Sequence, residues 1–256
     1  MLRAMYFDKN FYTKYRQLQE KMRGRAESDG DVFLPNPDPR GPVEFIFICQ
    51  EPSRGGWANS VAQGKAKIAA GFRNFLADMD MMLLHFSVRQ YLCSEGQSYF
   101  ITDISKGAMF VQQATKNSTQ RYNRWYPLLK EEIELIAKPG AALFAVGNKA
   151  YDYLEPKGST FKPLTKILHY SGQAAHARKK CIEGQENDFQ KFKRTISKAD
   201  VVACAREVFD ESGVPSKIYD FALKTVVSRQ LTDSRCKLVY CYKLAFEAMK
   251  RSALHR

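Results

Sequence analysis

A short apolar run that stops at a polar turn constrains the fold of this chain more than any other feature. Residues 43–49 read Val-Glu-Phe-Ile-Phe-Ile-Cys, and Gln50, Glu51 and Pro52 follow directly. A stretch of this length, rich in Phe and Ile, predicts a buried strand. The residues after it predict a polar loop at the carboxyl edge of a sheet, where open α/β folds bind ligands.

The following part of the chain alternates strand-like and helical patterns. Three more short apolar runs, each closed by a polar residue or a glycine, cover residues 98–103, 141–147 and 165–170. Helical periodicity is present at residues 11–22, 69–88, 125–137 and 148–154. Strands that alternate with helices favour right-handed crossovers. We therefore expect an α/β fold built on a four-stranded parallel sheet flanked by helices.

Helical patterns alone fill the last part of the chain. They cover residues 189–210, 216–230 and 233–251, with a break at Gly213 and Pro215. We expect an α/β domain over residues 1–185 and a C-terminal helical extension packed on it over residues 186–256. The basic residues of this extension contact DNA in one interpretation and form a solvated helical face in the other.

The charge balance favours a polyanionic partner. Lys and Arg number 40 against 27 Asp and Glu, which gives a formal net charge of +13. Such an excess strengthens binding to nucleic acid through phosphate contacts and counterion release. The alternative is a basic protein whose surface charges are simply solvated.

Cysteine spacing and hydropathy exclude other classes of protein. The six cysteines form neither a Cys-x-x-Cys motif nor a Cys/His cluster with zinc spacing, so we expect reduced thiols, no metal and no cofactor. No apolar stretch reaches the roughly 18 residues that a transmembrane helix needs, and the N-terminus lacks the apolar core of a signal peptide. We expect a cytoplasmic, monomeric protein without a membrane partner.

The four expected strands end in polar groups. Glu51, Asp103, the pair Gly147 and Asn148, and His169 stand at these ends. Because the carboxyl ends of parallel strands share one edge of a sheet, we expect these residues to converge.

The same four strand ends resemble the motifs of the uracil-DNA glycosylase superfamily, in the same order. Residues 49–53 (Cys-Gln-Glu-Pro-Ser) are similar to its first motif, and residues 100–106 to the strand that ends in Asn before an apolar pair and Lys. Residues 128–150 are similar to its leucine-rich helix and Gly-x-x-Ala strand, and residues 169–171 to its His-Pro-Ser motif. The resemblance covers about residues 43–178. It implies the three-layer glycosylase fold and excision of a base from DNA.

Three substitutions and one missing motif set the chain apart from the branches of that superfamily. Cys49 replaces Gly, Asp103 replaces Asn, and Tyr170 replaces Pro. Some branches hold an iron-sulfur cluster with four cysteines at set positions. This chain lacks that arrangement, so we expect no cluster. The branch is left open.

The resemblance implies that Glu51 and His169 are catalytic. Cleavage of a glycosidic bond develops positive charge on the sugar and negative charge on the base. Glu51 suits the sugar side, where a carboxylate orients water; alternatively it caps a helix or pairs with Arg54. A neutral His169 suits the base side as a hydrogen-bond donor to the pyrimidine O2; alternatively it is a core histidine.

Asp103 and Ser53 bear on which base is excised. An ionised Asp103 offers acceptors only, which suits the exocyclic amine of cytosine, and its second oxygen then requires a proton on Asp103 or on the base. Alternatively Asp103 caps the next turn and backbone groups read the base. Ser53 leaves open the C5 side that a Tyr blocks in the uracil-strict branch. Together they suggest cytosine or a C5-modified cytosine.

Base flipping costs a few kcal/mol, and aromatic and basic residues offset it. Trp57 is a candidate to stack on the base, or an ordinary core residue, and Gln173 is a candidate wedge. The candidate phosphate contacts are Arg54, Lys106, Arg178, Lys179 and Lys180. The alternative for the lysine run is a solvated face.

The sequence thus predicts a monofunctional DNA glycosylase that hydrolyses the N-glycosidic bond of a flipped-out pyrimidine and leaves an abasic site, in repair or in antiviral defence. Three alternatives stay open: a uracil-excising repair glycosylase, a non-catalytic DNA-binding module with the same fold, and an unrelated α/β enzyme that acts on nucleotides.

Overall fold

The computed structural model describes residues 9–254 except Gly56, Ala77, Thr115 and Lys162, and the side chains of Val111, Ser159, Thr160, Gln173, Ala253 and Leu254 lie outside the description. Its strands are β1 (Val32–Phe33), β2 (Val43–Cys49), β3 (Tyr99–Asp103), β4 (Gly107–Ala108), β5 (Ala137–Val146) and β6 (Leu164–Ile167). Its helices are α1 (Lys9–Ser28), α2 (Val61–Ala69), α3 (Met79–Ser87), α4 (Val111–Ala114), α5 (Ser118–Ile136), α6 (Asn148–Leu154), α7 (Ala175–Cys181), α8 (Glu186–Lys193), α9 (Lys198–Ser212), α10 (Ser216–Ser228) and α11 (Asp233–Leu254). Short helical turns of other types cover Val88–Leu92, Glu155–Phe161 and Gly172–Ala174.

The sheet confirms the expected α/β class. Four parallel strands lie in the order β3-β2-β5-β6 and are flanked by helices. In β2, Cys49 pairs with Asp103 of β3, and Ile48 pairs with Ala145 of β5. β1 and β4 form a separate antiparallel ribbon that the sequence did not predict, because two-residue strands leave no pattern.

The chain divides into two compact units. The first comprises residues up to Ala70, Ser98–Ala145 and Lys149–Thr165. Its core lies between one face of the sheet and the helices α1, α5 and α6. Ile46 and Ile48 of β2 contribute to this core together with Leu129 and Ile133 of α5. The four-residue spacing in α5 places both of its residues on one helix face, which explains why this helix covers the strands.

The alternate residues of β2 point to the other face of the sheet. Phe47 stacks on Phe144 of β5 with ring centroids 4.7 Å apart, and Phe45 lies beside the same ring. All three side chains are buried. A strand that is buried on both faces needs a nearly continuous apolar sequence, which is what residues 43–49 supply.

The second unit comprises Gly71–Gln97, Val146–Asn148 and the chain from Lys166 onward. Within it α3 packs on α9 and α11, and α7 packs on α11. Arg235 of α11 donates hydrogen bonds to Asp80 of α3, and Arg89 pairs with Glu211 of α9. This division differs from the boundary predicted at residue 185, because residues 71–97 pack with the C-terminal helices.

Two predicted helices are each interrupted. The pattern at 69–88 contains a break before α3, where Gly71 has φ of 103° and a Cβ would lie 2.5 Å from Cδ of Pro215. Asp78 then caps α3 by accepting a hydrogen bond from the Asp80 amide. The pattern at 189–210 divides into α8 and α9, because Ser197 starts α9 with a capping box.

A buried ion pair ties α5 to the end of β3. The Lys106 side chain is 2% exposed, and its Nζ lies 2.8 Å from Oε2 of Glu132, which is also buried. Thr102 donates a 2.6 Å hydrogen bond to the same carboxylate oxygen and accepts hydrogen bonds from Lys106 and Asn36. The predicted phosphate contact of Lys106 is therefore wrong, because its ammonium group is enclosed in the first unit.

Removal of Lys106 should destabilise the protein strongly. In Lys106→Met, the buried Glu132 carboxylate loses its counter-charge, which typically costs about 3–5 kcal/mol of unfolding free energy. The matched control is Lys130→Met, which removes an exposed partner of Glu134 on the same helix and should cost less than about 1 kcal/mol. Urea unfolding measures both.

A double variant separates charge from packing. Lys106→Met combined with Glu132→Leu should recover much of the lost stability, because no unpaired charge remains. Equal unfolding free energies for Lys106→Met and Lys130→Met would contradict this role for the buried pair.

Candidate active site

Glu51 lies in the loop after β2 and is held by α5. Its side chain is 8% exposed. Arg121 donates a 3.2 Å hydrogen bond to Oε1, and the Tyr122 hydroxyl donates one to Oε2. Burial raises the pKa of Glu51 above that of a free carboxyl group, while the Tyr122 hydrogen bond and the Arg121 charge partly offset this rise. The partners of Glu51 are therefore these α5 residues, and the alternative pairing with Arg54 is wrong.

Each carboxylate oxygen of Glu51 still has room for a further donor. A carboxylate has about four lone-pair sites, and Arg121 and Tyr122 use one on each oxygen. The arrangement orients the group and leaves it able to accept a hydrogen bond from water.

Asp103 lies at the same edge of the first unit as the Glu51 loop. Cys49 and Asp103 are paired in register, and the chain continues side by side beyond them. The amide of Ile104 donates to the Cys49 carbonyl at 2.9 Å, and that of Ser105 to the Gln50 carbonyl at 3.1 Å. Asp103 is 1% exposed. The structure therefore brings together two of the strand ends that the sequence analysis singled out.

The segment after Glu51 folds back on itself. The Trp57 indole Nε1 donates a 2.6 Å hydrogen bond to the Ser53 carbonyl, and the Gly55 amide donates to the Ser53 hydroxyl at 3.2 Å. Ser53 is exposed and Trp57 is partly exposed. Base stacking by Trp57 and admission of a C5 substituent by Ser53 stay predictions.

Arg54 is an unusual basic residue because it is buried. It is 8% exposed, and its guanidinium carbon lies 4.3 Å from the ring centroid of Phe110. No carboxylate of the described residues lies within ion-pair distance, and Nε is buried without a hydrogen-bond partner there. Burial raises the pKa of Asp31 to about 6, and the charge of Arg54 is one of those that partly offset this rise. A buried cation without a close counter-ion favours binding of an anion.

His169 belongs to the second unit and follows β6. Its Nδ1 accepts a 3.0 Å hydrogen bond from the Ser171 amide, which assigns the proton of a neutral ring to Nε2. Burial, together with the smaller effect of the Arg178 charge, lowers the pKa of His169 to about 4. The ring is therefore neutral at pH 7. Since protonation opposes folding, its contribution to stability is complete above pH 6.5 and is lost as the pH falls toward 4.

Gly147, at the end of β5, leaves room for the histidine. Its amide donates a 2.8 Å hydrogen bond to the Ile167 carbonyl. Its φ is 91°, and a Cβ at this position would lie 3.1 Å from Cβ of His169. The glycine is therefore required both by backbone conformation and by the close approach of the histidine.

The remaining predicted contacts have different outcomes. Arg178 is 3% exposed and donates hydrogen bonds to the carbonyls of Tyr170 and Ser171, so its predicted phosphate contact is wrong. Lys179 and Lys180 are exposed, and their phosphate contacts stay predictions. The Gln173 side chain lies outside the described residues, so its role as a wedge also stays a prediction.

The sequence analysis missed the partners of Glu51. Arg121 and Tyr122 are separated from Glu51 by 70 and 71 residues. They start the helical face that continues with the buried Trp125, and this amphipathic pattern was the available signal. Nothing local identified which carboxylate they would meet.

Across the described residues, no three or more His, Cys, Asp and Glu side chains are grouped to hold a metal ion. Within residues 9–254, apart from the four undescribed positions, no helix is long and apolar enough to cross a bilayer.

Comparison with protein-family models, with curated proteins and with solved structures finds no match to this chain. The resemblance to the uracil-DNA glycosylase superfamily therefore rests on the motif residues themselves.

Replacing Gly147 should disturb His169. We expect Gly147→Ala to destabilise the protein by about 1–2 kcal/mol through its left-handed backbone, and by about 1–3 kcal/mol more through the clash with His169. Gly184→Ala is the matched control, since Gly184 has φ of 78° with nothing within 4 Å of the added Cβ. Urea unfolding measures the difference. Only Gly147→Ala should also shift the imidazole NMR signals of His169, and equal effects of the two variants would contradict this packing.

Proposed function

We propose that the protein is a monofunctional DNA glycosylase that hydrolyses the N-glycosidic bond of a flipped-out pyrimidine and leaves an abasic site. The observation that supports this most is the state of His169, a neutral imidazole whose Nε2 carries the proton. A departing pyrimidine gains negative charge on O2, and a hydrogen-bond donor placed there stabilises it in the transition state.

His169 acts in this proposal as a hydrogen-bond donor. With a pKa of about 4 it is almost never in the doubly protonated imidazolium form at pH 7, so it does not serve as a general acid. The Nε2–H group still donates a hydrogen bond to the base, and this bond strengthens as charge develops. Hydrolysis then leaves the base as an anion that takes its proton from solvent.

Glu51 acts on the sugar side. Its ionised form favours the oxocarbenium-like sugar and orients the attacking water. Arg121 and Tyr122 orient the carboxylate and offset part of the rise in its pKa that burial causes, and these contacts support the role.

Three further residues support a nucleic-acid substrate with a cytosine-type base. The buried guanidinium of Arg54 suits a phosphate group, since it lacks an ion-pair partner among the described residues. Asp103, as an acceptor, suits the N4 amine of cytosine, and the exposed Ser53 suits a substituent at C5. Repair and antiviral defence are both compatible with this chemistry.

Two variants test the catalytic roles. Base release from duplex DNA, scored as alkali-labile strand cleavage, should fall by about 10²–10⁴-fold in Glu51→Gln and about 10²–10³-fold in His169→Ala. The controls are Glu131→Gln on the exposed side of α5 and His176→Ala on the surface of α7, which should keep the original rate. Circular dichroism checks that each variant is folded. Unchanged cleavage in both test variants would refute the assignment.

A base panel tests the role of Asp103. Duplexes with uracil, hypoxanthine, cytosine and C5-modified cytosines should rank cytosine-type bases above uracil, because an acceptor faces the amine. Asp103→Asn supplies a donor and an acceptor and should shift the preference toward uracil. A uracil preference in the original protein would favour the repair-type alternative.

Other outcomes identify the remaining alternatives. Tight binding without an abasic product from any base would indicate a non-catalytic module. Activity on free nucleotides, with DNA binding that depends little on salt, would indicate an unrelated nucleotide enzyme.

A further inference from the structure

Arg178 of α7 is a buried arginine whose hydrogen bonds go to a backbone loop. Its Nη2 donates to the Tyr170 carbonyl at 2.5 Å and to the Ser171 carbonyl at 2.7 Å. Its Nη1 donates to the Ser234 hydroxyl of α11 at 3.2 Å. Among residues that the structure describes, no carboxylate lies within ion-pair distance of it. The charge is thus directed at the two carbonyl groups next to His169.

The geometry of one peptide group links this arginine to the histidine. The carbonyl of Tyr170 and the amide N–H of Ser171 belong to the same planar peptide unit, and in a trans peptide they point in opposite directions. Arg178 binds the carbonyl side, and His169 Nδ1 accepts from the N–H side at 3.0 Å. Fixing the carbonyl therefore fixes the direction of the N–H group.

We propose that Arg178 is a positioning residue that orients the peptide between Tyr170 and Ser171, so that this peptide holds His169 with its Nε2–H group available for a ligand. Arg178 acts through the peptide and touches no substrate. The effect of Arg178 on catalysis rests on the proposed glycosylase function, whereas its effect on the imidazole is independent of that function.

A planar guanidinium suits this task better than an ammonium group. Its N–H donors have fixed directions in one plane. One arginine can therefore bind two successive carbonyls through Nη2 and the Ser234 hydroxyl through Nη1. The loop after β6 has ended its strand pairing, and its carbonyls need donors from elsewhere when they are buried. Arg178 supplies them.

The groups around His169 are consistent with this role. Tyr170 stacks on the ring with centroids 4.4 Å apart, and Gly147 at the end of β5 contributes no side chain. Arg178 is the charged residue that acts on the pKa of His169, lowering it in addition to burial. Arg178 thus binds the peptide that holds the imidazole and adds to the effect of burial on the pKa of the ring.

Helix α11 supports the same loop. The Tyr242 hydroxyl donates a 3.0 Å hydrogen bond to the Leu168 carbonyl, and the Cys241 thiol lies 3.9 Å from the Arg178 carbonyl. With Ser234, these contacts hold residues 168–171 from α7 and α11 within the second unit. Helices α7 and α11 thus support the backbone beside His169.

Two substitutions at Arg178 separate its hydrogen bonds from its charge. Arg178→Lys keeps the charge and removes the fork, so the pKa of His169 should stay near 4 while the preference for the Nε2–H tautomer weakens. Arg178→Met removes both, so the pKa of His169 should also rise, but only in part, because burial is the larger cause of the low pKa and remains. Nitrogen-15 NMR of the imidazole reads tautomer and pKa directly. Lys191→Met on the exposed side of α8 is the control and should change neither.

A third substitution tests the peptide group itself and does not depend on the folding of the Arg178 variants. Ser171 has φ of −67°, which proline adopts, so Ser171→Pro should keep the backbone conformation of residue 171, while its ring Cδ replaces the N–H donor and displaces the imidazole from the peptide. The Nε2–H tautomer should then lose its preference. If both Ser171→Pro and folded Arg178→Lys keep the original tautomer, the proposal is overturned.

Activity separates this proposal from the function on which it rests. In a protein that releases a base, Arg178→Lys should lower kcat/KM by about 10²-fold, comparable to loss of a transition-state hydrogen bond. If the NMR changes occur but the unmodified protein releases no base from any duplex, the positioning role stands and the glycosylase function fails. If base release is present and the imidazole is unaffected by Arg178→Lys and Ser171→Pro, the glycosylase function stands and the positioning role fails.

Discussion

The pairing of β2 with two parallel neighbours is the constraint on which the first unit depends. A strand between β3 and β5 must satisfy its backbone groups on both sides and bury side chains on both faces. Its seven residues do so with Ile46 and Ile48 on one face and Phe45 and Phe47 on the other. Because the Cys49 and Gln50 carbonyls continue to pair with the chain after β3, the loop with Glu51 has a fixed starting point.

Burial acts in opposite directions on the two candidate catalytic groups. It raises the pKa of Glu51 and lowers that of His169, because in each case it disfavours the charged form. The neighbours then differ: Arg121 and Tyr122 support the charge of Glu51, whereas Arg178 opposes a charge on His169. Under the proposed function, glycosidic bond hydrolysis requires an ionised Glu51 and a neutral His169.

Several elements show how far pattern reasoning extends. The limits of β2 and α6 agree with the patterns at residues 43–49 and 148–154, because apolar runs and their flanking turn residues mark both ends. Helix α2 was missed. It contains Gly64, a poor helix former, and a Cβ at this position would lie 3.2 Å from Cγ1 of Val32. The helix depends on this close tertiary contact, which no local pattern records.

The chain's own sequence determined the class of the fold, its four-stranded parallel sheet and the polar residues at the strand ends, because hydrophobic periodicity and turn chemistry are local properties. Only the tertiary structure decided which basic residues are on the surface. Lys106, Arg178, Lys179 and Lys180 are all basic residues that follow or lie near a strand end. The first two are buried and hydrogen-bonded, whereas the last two are exposed. Burial depends on groups far away along the chain, such as Glu132 for Lys106 and Ser234 for Arg178, and these meet only when the chain has packed.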